Sequence, residues 1–268
     1  MHDLCIVIAA ERCEDRLGPA LCSLLERAGW LDLEVIVADT GSGEVAQYIE
    51  ENFIDVRTIH CPNRGVAHAA NRALESANAR YLLFVDPGLE LCEGSLSTLV
   101  ARLDARPEVG LAGVRRVRSN GSTAPGMRRY PLDWTSGFIL VRRSALAASG
   151  WFDERFFAFG EKADLCVRLQ RKGWQLIHTG RLTVRSRRSR QRDPRLEAHA
   201  AHARMQFACK HFPLAAADYR WALAGRYAMR LGLSWLLPCY GSDSRQAARA
   251  ALATVFRGGV PLEESSAL

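Results

Sequence analysis

Short apolar runs alternate with amphipathic stretches along the first hundred residues. Leu4–Ala10 is a continuous apolar run of strand length, and Leu17, Leu21, Leu24 and Leu25 then recur at helical spacing, with Gly29 as a stop. Leu33–Ala38 reads as a second strand, followed by the turn T-G-S-G and a helix through Ala46 and Ile49. Val56–Cys61 gives a third strand, Val66 to about Ser76 a helix of small residues, and Tyr81–Val85 a fourth strand. Repeated strand–helix units predict a mostly parallel sheet with right-handed crossovers and helices on both faces. Beyond residue 109 the pattern loosens: V-G-L-A-G-V, a polar Gly/Ser/Pro loop at 119–126, apolar Phe138–Val141, a helix over 162–172 and a strand at Gln175–Thr179. After an Arg-rich run at 181–195, read as a solvated loop from 185 onward, only helical patterns remain. The chain is thus expected to form an α/β domain over 1–190 with a helical extension over 191–268, and it shows no internal repeat.

In such a sheet the carboxyl ends of the strands lie along one edge, where open α/β sheets bind ligands. Glu11, Asp39 and Asp86 each follow an apolar strand directly or within a residue. Three carboxylates therefore fall on that edge, where they can accept hydrogen bonds from the base and ribose of a nucleotide. Asp39 before T-G and Asp86 before P-G are also good turn formers, and either one alone is accounted for that way. Three at corresponding places point to a site. The first strand is followed by A-E-R-C-E-D and not by G-x-G-x-x-G, which disfavours a dinucleotide-binding Rossmann unit.

Composition and charge narrow the setting. The chain is 48% hydrophobic, enough for a sizeable core, and its eight cysteines include no C-x-x-C pair, which fits free thiols in a reducing compartment. The N-terminus lacks the basic region and cleavage site of a signal peptide, and no apolar run approaches the roughly 20 residues that span a bilayer. A cytoplasmic protein is expected. The net charge of +7 is uneven: residues 181–268 hold 15 Arg/Lys against 6 Asp/Glu, and residues 1–180 hold 21 against 23. An anionic partner therefore belongs to the tail. Trp221–Leu237, with Arg226 and Arg230, reads as an interfacial helix on an anionic membrane, although it would also pack on the domain. Nucleic acid is disfavoured, because the basic tail lacks interleaved aromatics and any recognised module. His199 and His202, with Cys209 and His211 beyond them, lack a zinc template and read as a surface helix.

Five stretches taken in order carry a resemblance: C-I-V-I-A-A-E-R, V-I-V-A-D-T-G-S-G-E, the run from N-R-G-V-A-H-A-A-N-R to L-L-F-V-D-P-G, D-W-T-S-G-F-I-L-V-R-R-S-A-L, and W-F-D-E-R-F-F-A-F-G-E-K-A-D-L-C-V-R-L-Q-R-K-G-W. Together they resemble the family 2 glycosyltransferases, especially the inverting, rhamnosyltransferase-like branch with a GT-A-type fold. The resemblance implies a nucleotide-diphosphate-sugar donor bound by Glu11, Asp39, Arg64, Asp86 and Arg185, with Trp134, Ser136 and Gly137 lining the sugar and acceptor pocket. It implies transfer to a glycan or lipid-linked acceptor in bacterial surface polysaccharide assembly, at the cytoplasmic face of the membrane. The chain departs from the pattern at three positions. Gly88 stands where a second acid usually binds metal, Lys162 replaces the acid after Glu161, and Arg185 stands where a His is common. Catalysis is accordingly expected from Glu161 as base, ahead of Asp164, with Lys162 or Arg185 facing the diphosphate. No metal is then required, Mg or Mn being an option if Asp86 binds one. The alternative is a noncatalytic relative serving as scaffold or regulator.

Overall fold

Strand β1 (His2–Ala10) sends Leu4, Ile6 and Ile8 to one face of the sheet and Cys5 and Val7 to the other, and all five are buried. A strand covered on both faces needs apolar residues at every position, which is why it reads as an unbroken run. The computed structural model describes residues 1–11, 13–41, 43–117, 137–186, 193–236 and 242–257. On one face lie Leu17, Leu21 and Leu24 of α1 (Glu14–Glu26), Val45 and Ile49 of α2 (Glu44–Asn52), and Leu96, Leu99 and Leu103 of α4 (Leu96–Asp104). On the other lie Ala67, Ala70, Ala73 and Leu74 of α3 (Val66–Ser76), Ala145 and Leu146 of α5 (Arg143–Ser149), and Leu165, Cys166 and Leu169 of α6 (Glu161–Arg171). At roughly 1.5–3 kcal/mol per fully buried large aliphatic side chain, these two layers are the main source of stability.

The remaining strands are β2 (Leu33–Asp39), β3 (Arg57–His60), β4 (Ala79–Val85), β5 (Leu89–Glu93), β6 (Val109–Val117), β7 (Phe138–Arg142) and β8 (Gln175–Ser186). Among the described residues they form one eight-stranded sheet in the order β3-β2-β1-β4-β7-β6-β8-β5. β1 pairs parallel with β2 and β4, β2 with β3, and β6 with β8, while β7 and β5 run antiparallel to their neighbours. The chain adds strands outward from β1 to β3, then returns to place β4 on the other side of β1. That reversal opens a crevice at the carboxyl ends of β1 and β4.

The sequence pattern misses β5, α4 and α5, and it ends β8 too early. β5 is only five residues long and alternates (L-E-L-C-E), too short for its period to register. β8 continues past Thr179 because its register with β6 jumps from Val114↔Thr179 to Arg115↔Thr183, leaving Gly180–Leu182 as a bulge. Leu182 and Val184 are buried, so the opening of the Arg-rich run, Arg185 included, is strand and not loop. Positions 187–192 of that run lie outside the described residues.

The chain divides into two compact units. The first comprises Met1–Glu154 and Glu161–Arg188, and the second Arg155–Gly160 and Ser189–Leu268. The second holds α7 (Pro194–His211), a 3-10 turn at Pro213–Ala215, α8 (Ala216–Leu236) and α9 (Ser242–Arg257). Its core is built from Ala201, Met205, Leu223, Ala224, Tyr227, Ala251 and Val255. α7 is not a surface helix along its whole length: His199 and His211 are buried, His199 stacked on Phe157 and His211 against Phe207. Among the described residues no helix is long and apolar enough to cross a membrane.

Candidate functional site

The parallel strands β1–β4, β6 and β8 end on one edge of the sheet, and the antiparallel β7 begins there. Glu11, Asp39, Arg64, Asp86, Gly137 and Arg185 therefore share that edge. Glu11 accepts a hydrogen bond from the Asn63 amide at 2.9 Å. Asp39 is fully buried and accepts from the backbone N–H groups of Gly41 (2.7 Å) and Ala46 (3.1 Å). Since α2 is capped by Gly43, which has no side chain to offer, the Asp39 carboxylate does that work and meets the positive end of the helix. A Cβ on Gly41 would lie 3.3 Å from Asp39 Oδ1 and 3.8 Å from Glu11 Cγ, so the two acids converge on this glycine. Arg64 is exposed just before Gly65, whose φ of +99° starts α3.

Asp86 follows β4, and its backbone N–H donates to the Gly137 carbonyl at 2.7 Å. Gly137 has φ +75°, and a Cβ there would fall 2.1 Å from Asp86 Oδ2, so only glycine admits this carboxylate. Trp134 and Ser136 lie outside the described residues. Lys162, in the first turn of α6, reaches both Asp86 Oδ1 and Glu161 Oε1 at 2.9 Å. The Lys162 and Glu161 side chains are 9% and 6% exposed, whereas that of Asp86 is 43% exposed. Burial alone would push the Lys162 ammonium down, but the two carboxylates outweigh it and hold its pKa above the usual lysine value. Glu161 Oε2 is buried with no hydrogen-bond partner among the described residues.

The other two candidates are held differently. Asp164 is fully buried and bonds Arg168 Nε at 2.8 Å, and Arg168 in turn donates to the Ser149 and Gly150 carbonyls. That carboxylate braces α6 against the end of α5. Arg185 stands opposite Glu90 in the β5–β8 ladder, with its guanidinium 3.5 Å from Glu90 Oε2 and about half exposed.

One polar cluster escapes the sequence reading. Asn71 donates to the Phe152 carbonyl (3.0 Å) and to Glu154 Oε1 (2.8 Å), and accepts from the Phe152 N–H (3.1 Å). His68 Nδ1 lies 2.8 Å from Glu154 Oε2. The available signal was two polar residues at i, i+3 on the alanine face of α3. A recess of about 420 Å³ sits at the opposite edge of the sheet, among His2, Leu33, Glu34 and Arg57. Of its charged groups, Glu34 and Arg57 are paired with each other, which leaves Asp55 and no row of carboxylates like that on the carboxyl edge.

A metal does not fit this arrangement. Among the described residues no three His, Cys, Asp or Glu side chains gather to hold one. A divalent ion between Asp86 and Glu161 would have to displace the Lys162 ammonium that already bonds both.

Residues 5–164 match the family model described as glycosyl transferase family 2. The chain is similar to the N-acetylglucosaminyl-diphospho-decaprenol L-rhamnosyltransferase of Mycobacterium tuberculosis, 25% identical over 251 residues that cover 74% of this chain and 82% of that one. Its fold is similar to the mannosyltransferase PcManGT from Pyrobaculum calidifontis, solved in complex with GDP-Man and Mn²⁺. There the TM-score is 0.65 at 15% identity, with 96% of this chain and 87% of that one covered. Residues 1–349 of S. aureus TarS in complex with UDP superpose with a TM-score of 0.56 at 14% identity, covering 96% and 92% of the two chains.

Proposed function

The chain belongs to glycosyl transferase family 2, and from that membership we propose that it moves a sugar from a nucleoside-diphosphate sugar to a glycan or lipid-linked acceptor in bacterial surface polysaccharide assembly. The observation that carries this reading is the row of Glu11, Asp39 and Asp86 on the carboxyl edge of the sheet, flanking its switch point. The diphospho-decaprenol in the name of the mycobacterial relative supports a lipid-linked acceptor, and the GDP-Man and UDP complexes support a nucleotide donor.

In the proposed step the acceptor hydroxyl gives its proton to Glu161, whose Oε2 has no partner among the described residues. The acceptor oxygen bonds to the anomeric carbon as the bond from that carbon to the diphosphate breaks, and the electron pair leaves with the nucleoside diphosphate. One displacement inverts the anomeric centre. Glu11, Asp39 and Arg64 hold the nucleotide, Arg185 lies on the diphosphate side, and Gly137 borders the sugar.

A thermal-shift panel of nucleoside diphosphates and nucleotide sugars tests the reading. A cognate donor at about 100 times its dissociation constant should add roughly 2.7 kcal/mol of stability. Sugar transfer should follow with that donor alone, and no stabilisation by any member of the panel would refute the assignment. The lysine after Glu161 also favours a second reading, a noncatalytic scaffold or regulator. That protein would bind a donor and never turn it over.

For location we propose peripheral attachment to the anionic cytoplasmic face of the cell membrane through the second unit. Trp221, Met229, Trp235 and Phe256 are exposed there, and Arg220 and Arg226 on α8 are exposed too. Arg230 contributes less than the sequence suggests, being bonded to Glu197 of α7 at 3.1 Å.

A further inference from the structure

An ammonium has three N–H donors. At Lys162 two of them go to Asp86 Oδ1 and Glu161 Oε1, both at 2.9 Å, and the third has no acceptor among the described residues. A buried cation with a donor to spare, beside an orphaned buried carboxylate oxygen on Glu161, is an incomplete site that a ligand would complete. The charge at this place is fixed by the chain itself. Asp86 is the only acid of its turn, since Pro87 and Gly88 follow it, and the ammonium that bonds both carboxylates is covalently anchored in α6.

We propose that Lys162 is the resident cation of this active site: its ammonium occupies the place between Asp86 and Glu161 where a divalent ion would otherwise sit, and offers its third N–H to the donor diphosphate. The proposal rests on the nucleotide-sugar reading above. Within that reading the ammonium keeps its proton throughout and meets the negative charge that gathers on the diphosphate oxygens as the anomeric bond breaks. Asp86 serves to seat the lysine, and Gly137, by yielding space to Asp86, fixes both. Lysine acts here as a point charge, and the exposed guanidinium of Arg185 on β8 is a second positive group on the same edge.

Two measurements on the full chain test this. The first is Mn²⁺ binding followed by electron paramagnetic resonance, without nucleotide. Wild type should bind no Mn²⁺ that depends on Asp86, whereas Lys162→Ala should gain a site, because removing the ammonium leaves two carboxylates facing a vacant space. The second is nucleoside diphosphate affinity compared with that of the parent nucleoside. Wild type should bind its diphosphate equally in EDTA and in Mn²⁺. Lys162→Ala should lose about tenfold or more of diphosphate affinity in EDTA, regain part of it with Mn²⁺, and leave nucleoside affinity unchanged. Lys162→Arg keeps the charge and should stay independent of metal, and it carries the comparison if the alanine variant does not fold. Wild-type diphosphate binding abolished by EDTA and restored by Mn²⁺ would overturn the proposal. So would a Lys162→Ala protein that binds no Mn²⁺ and retains full diphosphate affinity. If no nucleotide binds wild type, the donor reading fails, while the Mn²⁺ measurement still decides whether Lys162 fills a cation site.

Discussion

Gly137 shows how much of the site rests on single atoms. A methyl group there would fall 2.1 Å from Asp86 Oδ2 and 2.9 Å from Leu89 Cδ1, on a backbone with φ +75°. Gly137→Ala should therefore cost on the order of 2–4 kcal/mol of stability and displace the Asp86 carboxylate. Chemical denaturation measures the first effect and donor titration the second; a variant unchanged in both would contradict the packing described. Asp39 calls for a pair of variants because it has structural work to do. Asp39→Ala removes the acceptor for the Gly41 and Ala46 N–H groups and should cost about 1–2 kcal/mol of stability. Asparagine caps helices as well as aspartate does, so Asp39→Asn should recover most of that loss. If Asp39 also contacts the nucleotide, Asp39→Asn still binds the donor more weakly, by roughly 1–3 kcal/mol. A stable Asp39→Asn with full donor affinity would reduce Asp39 to a cap.

Among the elements, α3 is tied by its polar face to the chain just after α5. Asn71 satisfies both the N–H and the carbonyl of Phe152, so Asn71→Ala strands two backbone groups and should destabilise by about 2–4 kcal/mol in urea melts. Asn71→Ala within experimental error of wild type would show that water replaces these bonds. Glu154 gives this tie a pH dependence. The hydrogen bond from Asn71, followed by that from His68, holds its carboxyl below the usual carboxylate range. A pKa lower in the folded state stabilises the fold above the unfolded value, about 4.3, and this contribution disappears as pH falls through the lower folded value. Acid unfolding profiles of wild type and Glu154→Gln should therefore converge as the pH falls below about 4. With 42% of the Glu154 side chain exposed, solvent screening keeps the effect small. An equal gap between the profiles at pH 7 and pH 3 would contradict it.

Across the whole molecule the charge is divided as the sequence divides it, with the cationic excess over 181–268. The second unit adds what composition does not show, namely which aromatic rings are left uncovered. Trp221 is 68% exposed and Trp235 64%, with the Arg245 guanidinium 4.9 Å from the Trp235 ring. In sedimentation with anionic vesicles the full chain should pellet at low salt and be released as salt rises, each basic group near the surface contributing roughly 1 kcal/mol. Trp221→Ala with Trp235→Ala should weaken the association without abolishing its salt dependence. Full-length chain that stays in the supernatant with anionic vesicles at low salt would refute membrane attachment.

The sequence by itself determined the strands β1 to β4, the helix α3, and the placing of Glu11, Asp39 and Asp86 at strand ends, because period and turn chemistry are local properties of the chain. It also marked Lys162 as a departure from the family pattern, since an unexpected residue type is visible without coordinates. What the lysine does was decided only by the tertiary structure, which brings Asp86 within 2.9 Å of a residue 76 positions away. The same holds for the partners of two acids three residues apart: Asp164 bonds Arg168, and Glu161 Oε2 has no partner among the described residues. The length of β8, the presence of β5 and the grouping of residues 155–160 with the helices likewise depend on partners far along the chain. Periodicity reports which face of an element is buried. It does not report what that face meets, and the contacts of Lys162 with Asp86 and Glu161 are of that kind.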